Sequence, residues 1–237
     1  LDLDHVRDSI TPRTRMIILN SPANPTGGVM TEDDIKTLAE ILADRPDIII
    51  LSDEIYSRII YDGAHHSIAS LPGFQDRTII LDGFSKTYAM TGWRLGYGVM
   101  RPDIAEVVTQ LMINSNSCTA AFTQIAGIEA LTGPQASVDT MNAAFLERRG
   151  VIVEGLNSIP GVKCAMPQGA FYAFPNIEGT GRSSEQLAED LLQKGGVACL
   201  SGTSFGRYGQ GYLRLSYANS LPNICKALDR IAEVLNG

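Results

Sequence analysis

The segment DGFSKTYAMTGWRLG, residues 82–96, carries a lysine just after an apolar run and an arginine eight residues further on. Lys86 follows RTIIL (77–81), a short aliphatic run of the kind that forms a buried parallel strand. Two similar runs also end in side chains able to do chemistry. MIILN (16–20) leads into SPANPTGG, with Asn24 and Thr26, and DIIILS (47–52) leads into DEIY, with Asp53 and Tyr56. Open α/β sheets bind their ligands at the carboxyl ends of parallel strands. If these strands are parallel neighbours, an amide, a carboxylate, a phenol and an amine converge on one edge. Asp53 and Tyr56 are three apart, so a helical turn at the strand end places both on one face.

A pyridine aldehyde makes four demands that this set answers by type. Its aldehyde needs a lysine amine. Its ring nitrogen needs a carboxylate to stay protonated. Its ring hydroxyl needs a donor, and its phosphate needs a cation with further donors. Lys86, Asp53, Tyr56 and Arg94 supply these groups in turn.

NPTGG, DEIY and above all SKTYAMTGWRLGY resemble the signature of class I/II aminotransferases of the aspartate-aminotransferase-like kind, fold-type-I enzymes that use pyridoxal 5′-phosphate. The later YLRLSYA is similar to their substrate-carboxylate strand, and the match runs through the chain in the family's order. The resemblance implies Lys86 as the Schiff-base lysine and proton shuttle, Asp53 as the partner of the pyridinium nitrogen, and Tyr56 as a hydrogen-bond donor to the ring oxygen. It implies Asn24 at that oxygen and at the substrate carboxylate, Arg94 at the phosphate, and Arg214 as the clamp on the substrate carboxylate. A planar guanidinium suits the last role because it binds a carboxylate through two parallel hydrogen bonds. Where many members carry a hydroxyl residue three positions before the lysine, this chain has Gly83; Ser85 is the candidate to join the phosphate site instead. The family's N-terminal arm, phosphate loop and ring-stacking aromatic would all precede Leu1. The expectation is therefore a C-terminal portion that is inactive by itself and either cofactor-free or covered by another copy.

Ordinary packing roles are expected for the neighbours: Trp93 and Met90 as packing, Gly27, Gly28, Gly92 and Gly96 in tight turns, Phe171 and Tyr217 in the core. His65 and His66 follow Gly63 in a turn and read as exposed imidazoles. The four cysteines show no CxxC pair and no histidine at metal spacing, so no metal is expected; they read as reduced, mostly buried thiols of a cytoplasmic protein.

The elements that must hold these residues follow from pattern and punctuation. The runs at 16–20, 47–52 and 78–81, with RLGYGVM (94–100) as a fourth, alternate with helical stretches and imply an α/β sheet that is mostly parallel. A helix capped by Thr31 starts at TEDDIKTLAEILAD. Helical pattern covers 102–131 with a polar break at 114–119, and a longer helix covers 136–156. Beyond it, VKCAMP and GAFYAFP read as two strands joined at Gln168 and Gly169. A capped helix follows in SSEQLAEDLLQKGG, then strands in VACLSG and YLRLSYA and a terminal amphipathic helix. The expected organisation is part of a large cofactor-binding α/β/α domain at 1–134, a connecting helix at 135–158, and a small α/β domain at 159–237.

With 44% hydrophobic and 19% charged residues the composition is globular, and a net charge of −7 argues against a nucleic-acid partner. No apolar stretch approaches the ~20 residues of a membrane span. The expected partners are an amino acid, a 2-oxo acid and a second copy in a homodimer. A β-lyase on the same scaffold and an aminotransferase-like sensing domain of a transcriptional regulator are the alternatives.

Overall fold

The computed structural model describes residues 1–236. Contacts divide them into two compact units: Leu1–Pro22 with Val29–Val138, and Ala23–Gly28 with the chain from Asp139 onward.

In the first unit, the three aliphatic runs become β1 (Met16–Asn20), β2 (Ile49–Asp53) and β3 (Thr78–Gly83), and β4 is Gly96–Val99. The sheet order is β1-β2-β3-β4. The first three strands are parallel, in a register that aligns Asn20 with Asp53 and Asp53 with Leu81. Their carboxyl ends therefore lie along one edge, as the sequence implies. β4 runs antiparallel to β3, pairing Gly83 with Gly96. The twelve residues between the two strands form the coil around Lys86 and the short turn Thr91–Trp93 rather than a crossover helix.

One face of this sheet is covered by α2 (Glu32–Leu42), whose start is fixed by a capping box. Thr31 Oγ1 accepts from the Asp34 N–H at 3.1 Å, and Asp34 Oδ2 accepts from the Thr31 N–H at 2.8 Å. Ile35, Leu38 and Leu42, at helical spacing, are buried together with Leu19, Ile48, Ile50, Ile68 and Phe74. Each such side chain contributes about 1.5–3 kcal/mol when fully buried. Arg77 donates to the Leu42 and Arg45 carbonyls at 3.1 and 2.7 Å, tying the end of the helix and the turn after it to the start of β3. The helical pattern after Pro102 breaks where the polar residues stand, giving α3 (Pro102–Ser115) and α4 (Ala121–Thr132), before α5 (Ala136–Asn157).

The second unit contains a three-stranded antiparallel sheet in the order β5 (Tyr172–Ala173), β7 (Leu213–Ser216), β6 (Leu200–Ser201). The expected strand in VKCAMP does not form; only Lys163 bridges to Asn176. The reason is local: the Asn157 side chain takes both backbone groups of Cys164, at 2.7 and 3.0 Å, and removes them from any ladder. α6 (Ser184–Gln193) starts at Ser183, whose hydroxyl accepts from the Gln186 N–H, and α7 (Leu221–Asn236) buries Ile224 and Ile231.

The loop 23–28 belongs to this unit through Gly27. The Gly27 carbonyl accepts from the Gln168 and Gly169 N–H groups at 2.8 and 2.9 Å. Gly27 has φ +69°, and a Cβ there would stand 2.3 Å from Pro167 Cβ. The positive φ and the close approach both call for glycine. No helix among the described residues is long and apolar enough to cross a membrane.

Candidate active site

Asp53 closes β2, and the chain then turns through i→i+3 hydrogen bonds, Ser57 N–H to Glu54 O and Ile59 N–H to Tyr56 O, both 2.8 Å. The Asp53 carboxylate is half-buried and accepts from the Ile55 N–H at 3.3 Å. Burial raises its pKa above the ordinary carboxylate value. The Ile55 hydrogen bond opposes that shift, the Glu54 charge adds to it, and the Lys86 charge works against it. Tyr56 is 3% exposed, so its ring packs in the core.

Lys86 stands on the single coil that follows β3, closed by Tyr88 N–H to Phe84 O and Ala89 N–H to Lys86 O. Its Nζ lies 5.8 Å from the centre of the Tyr56 ring. The structure thus brings the amine, the carboxylate and the phenol ring of the predicted set together in one unit. Ser85 is half-buried immediately before the lysine. Gly83 has no room for a side chain: a Cβ there would lie 2.9 Å from Gly96 Cα and 3.1 Å from the Leu95 carbonyl oxygen. The antiparallel crossing of β4 excludes any side chain at that position. Arg94 is exposed, adopts left-handed backbone geometry at φ 54°, and donates from Nη1 to the Thr91 carbonyl at 3.0 Å.

In the second unit, Arg214 projects from β7. Its Nη1 donates to Asn24 Oδ1 at 3.1 Å, joining two predicted residues 190 positions apart in sequence. The guanidinium carbon lies 4.7 Å from the Tyr172 ring centre and 5.0 Å from that of Phe205. Two aromatic rings therefore restrain the guanidinium plane. The Arg214 Nε is buried and meets no hydrogen-bond partner among the described residues. A restrained fork with a donor still to be satisfied suits a planar carboxylate.

The sequence reading missed a polar cluster behind the edge. Glu54, 7% exposed, accepts from Ser52 Oγ at 2.9 Å and Ser67 Oγ at 2.6 Å, and stands 2.7 Å from His65 Nε2. His65 is thus part-buried against a carboxylate, not the exposed turn imidazole expected. Serine and glutamate two apart in an otherwise apolar strand were the available signal, because they share one face. Burial works to raise the Glu54 pKa, but the hydrogen bonds from His65 and Ser67, the His65 charge and the Ser52 hydroxyl together hold it below the usual value. Asp82, on β3, accepts from the Tyr97 hydroxyl at 3.1 Å, and burial with this carboxylate pushes the Tyr97 phenol up to about 12. The cysteines also depart from expectation: Cys164 is buried, but Cys118 and Cys225 are exposed. Among the described residues no cluster of His, Cys, Asp and Glu is arranged to hold a metal.

The family profile described as "Aminotransferase class I and II" matches residues 1–231. The chain belongs to this family. It is 43% identical over 238 residues to an aspartate aminotransferase of Pyrococcus horikoshii, covering 100% of this chain and 60% of that protein. It is 39% identical to aromatic-amino-acid aminotransferase 2 of Thermococcus litoralis, covering 99% of this chain and 61% of that one. The crystal structure of an aromatic aminotransferase from Pyrococcus horikoshii superposes with a TM-score of 0.95 at 39% identity, over 100% of this chain and 64% of that one. The chain therefore has the fold of these aminotransferases and spans about three fifths of the length of the relatives it matches.

Proposed function

We propose that this chain carries the lysine-bearing part of a pyridoxal 5′-phosphate-dependent aminotransferase, which exchanges the amino group of an amino acid for the oxo group of a 2-oxo acid. The observation that carries this assignment is the grouping of Lys86, Asp53 and Tyr56 where β2 and β3 end, in a chain whose relatives are aminotransferases.

The donor set fits the cofactor. The Lys86 amine is the group for its aldehyde, the Asp53 carboxylate for its ring nitrogen, Tyr56 and Asn24 for its ring oxygen, and Arg94 with Ser85 for its phosphate. When bound, the cofactor supplies an aldehyde and a protonated pyridine that draws electrons from the substrate α-carbon. Asp53 keeps that proton on the ring nitrogen by remaining ionised beside it. The neighbouring Lys86 charge favours the ionised form, against the burial that disfavours it. Lys86 Nζ acts as the base that takes the α-proton and then returns it. Arg214 orients the substrate by gripping its α-carboxylate, with the Tyr172 and Phe205 rings holding the fork in place.

A homodimer and a cytoplasmic location belong to the same proposal. Leu111 and Ile113 of α3 and Phe122 and Ile125 of α4 are each more than 60% exposed, the character of a surface that a partner covers. Four free thiols suit a reducing compartment.

The test is a panel of amino donors with 2-oxoglutarate, assayed on the full-length protein and on its Lys86→Ala variant. Formation of glutamate together with the donor's 2-oxo acid, abolished by the substitution, supports the assignment. Release of ammonia with no new amino acid would replace it with elimination chemistry.

A further inference from the structure

Tyr56 and Lys86 stand on two separate coils, one after β2 and one after β3, and the two coils are built alike. Each is closed by short-range backbone bonds: the Ile59 N–H donates to the Tyr56 carbonyl at 2.8 Å, and the Ala89 N–H to the Lys86 carbonyl at 3.2 Å. Turns of this length are marginal by themselves, because few hydrogen bonds offset the dihedrals that they fix. A further tie comes in both cases from the residue two positions on, and both ties end on the same side chain.

Arg58 Nη1 donates to Gln135 Oε1 at 2.6 Å and to the Tyr88 hydroxyl at 3.2 Å, and that hydroxyl donates to the same Gln135 oxygen at 3.4 Å. Gln135 is half-buried between α4 and α5. Its Nε2 donates to the Gly133 and Ala130 carbonyls at 2.8 and 3.0 Å, at a helix end whose last carbonyls have no partner within the helix. One amide thus uses both of its donors and both of its acceptor positions. Only one orientation of the amide fits, since two donors face its oxygen and two carbonyls face its nitrogen. The Tyr88 ring is itself set against Phe84, 5.6 Å between centres, and Phe84 is 4% exposed. A residue that only closed α4 would need its donors alone; Gln135 also commits its oxygen, and commits it to the two coils.

We propose that Gln135 is a positioning residue for the reaction: by bonding Arg58 and Tyr88 together it fixes the Tyr56 turn and the Lys86 coil to each other and to the end of α4. The phenol and the amine then keep one geometry although they stand on different coils. Such geometry matters because a misplacement of about 1 Å can cost about 100-fold in rate. The inference rests on reading Lys86 as the base and Tyr56 as the partner of the ring oxygen.

The test is amide hydrogen exchange, with steady-state kinetics beside it, on the full-length protein and its Gln135→Leu and Gln135→Glu variants. Gln135→Leu removes every bond of the amide. The Ala89 and Ile59 N–H groups are then expected to exchange faster, while those of α2 keep their rates. Gln135→Glu keeps an acceptor toward Arg58 and Tyr88 but turns a carboxylate oxygen toward the Ala130 and Gly133 carbonyls. The coil amides are expected to stay protected in that variant while the Gly133 N–H loosens. In turnover, Gln135→Leu is expected to lower kcat about 10-fold with little change in KM for the amino donor, and Gln135→Glu to restore most of the loss. Equal effects of leucine and glutamate on the coil amides or on kcat would reduce Gln135 to a helix closure and overturn the proposal. Faster exchange spread evenly over the coils and α2 would overturn it as well. If Gln135→Leu does not fold, Tyr88→Phe decides, because it removes one hydroxyl and leaves both Gln135 donors on α4. Faster exchange of the Ala89 N–H in that variant supports the tie, and an unchanged rate overturns it. The exchange measurement needs no cofactor, so its outcome is separate from that of the donor panel.

Discussion

Arg214 shows how far one side chain's role depends on its neighbours. A guanidinium on a surface strand is usually a solvated charge, but this one is fixed between the Tyr172 and Phe205 rings and bonded to Asn24 Oδ1. Lysine retains the charge but loses the fork and the planar stacking. Arg214→Lys is therefore expected to lower kcat/KM by about 10- to 100-fold, the equivalent of one charge-assisted hydrogen bond of roughly 1.5–3 kcal/mol. The loss should be the same for acidic and aromatic amino donors, because the α-carboxylate is common to all of them. A changed preference between donors would place Arg214 in the side-chain pocket instead. The type and position of Arg214 were legible in YLRLSYA. Its aromatic sandwich was not, because Tyr172 and Phe205 lie on other segments.

At the scale of elements, the strand ends were the most legible part of the sequence. The runs at 16–20, 47–52 and 78–81 are aliphatic, short and followed by turn residues, and all three became parallel neighbours. Less was legible where pairing depends on a distant partner. The direction of β4, the two-residue strands β5 and β6, and the loss of a strand to the Asn157 side chain follow from contacts that no local pattern records. The Glu54–His65 pair, eleven residues apart, escaped for the same reason. Gly27 gives a direct test of the loop it anchors. Gly27→Ala combines an unfavourable positive φ with a Cβ pressed against Pro167, and is expected to destabilise the second unit by about 1–3 kcal/mol. Urea unfolding followed in that unit measures it, and an unchanged midpoint would mean that the loop is not docked as described. Glu54 makes a prediction in pH. Its folded value lies below the ordinary 4.5, so its contribution to stability is complete above that value and is lost as pH falls through the folded value. Asp53, raised above its ordinary 3.8, acts in the opposite sense: the folded form gains as pH falls through its raised value. Glu54→Gln removes the first effect and, by removing a like charge beside Asp53, lessens the second. The loss of stability on acidification below about pH 4.5 is therefore expected to be shallower in the variant than in the unaltered chain. Denaturant midpoints measured from pH 6 to pH 3 check this.

The whole molecule carries four thiols in distinct surroundings, and these report on what covers it. Burial pushes the Cys164 and Cys199 thiols up to about 11, so at neutral pH neither forms much thiolate. Cys225 is exposed, and Cys118 is exposed in the connection between α3 and α4. A thiol reagent at pH 8 is expected to modify Cys225 quickly, the part-exposed Cys199 slowly and the buried Cys164 only on unfolding. Cys118 should react quickly where the α3–α4 surface is open and slowly in a dimer that covers it. Equal rates for all four would contradict the packing of the second unit. The assignment as a whole depends most on which lysine holds the cofactor. Lys86 is the lysine set beside both Asp53 and Tyr56, whereas Lys36 and Lys194 pair with Glu32 and Asp190 on helix surfaces. Borohydride reduction of the full-length protein in the presence of pyridoxal 5′-phosphate, followed by peptide mapping, is expected to find the cofactor fixed to Lys86. Its attachment to any other lysine, or to none, would contradict the site.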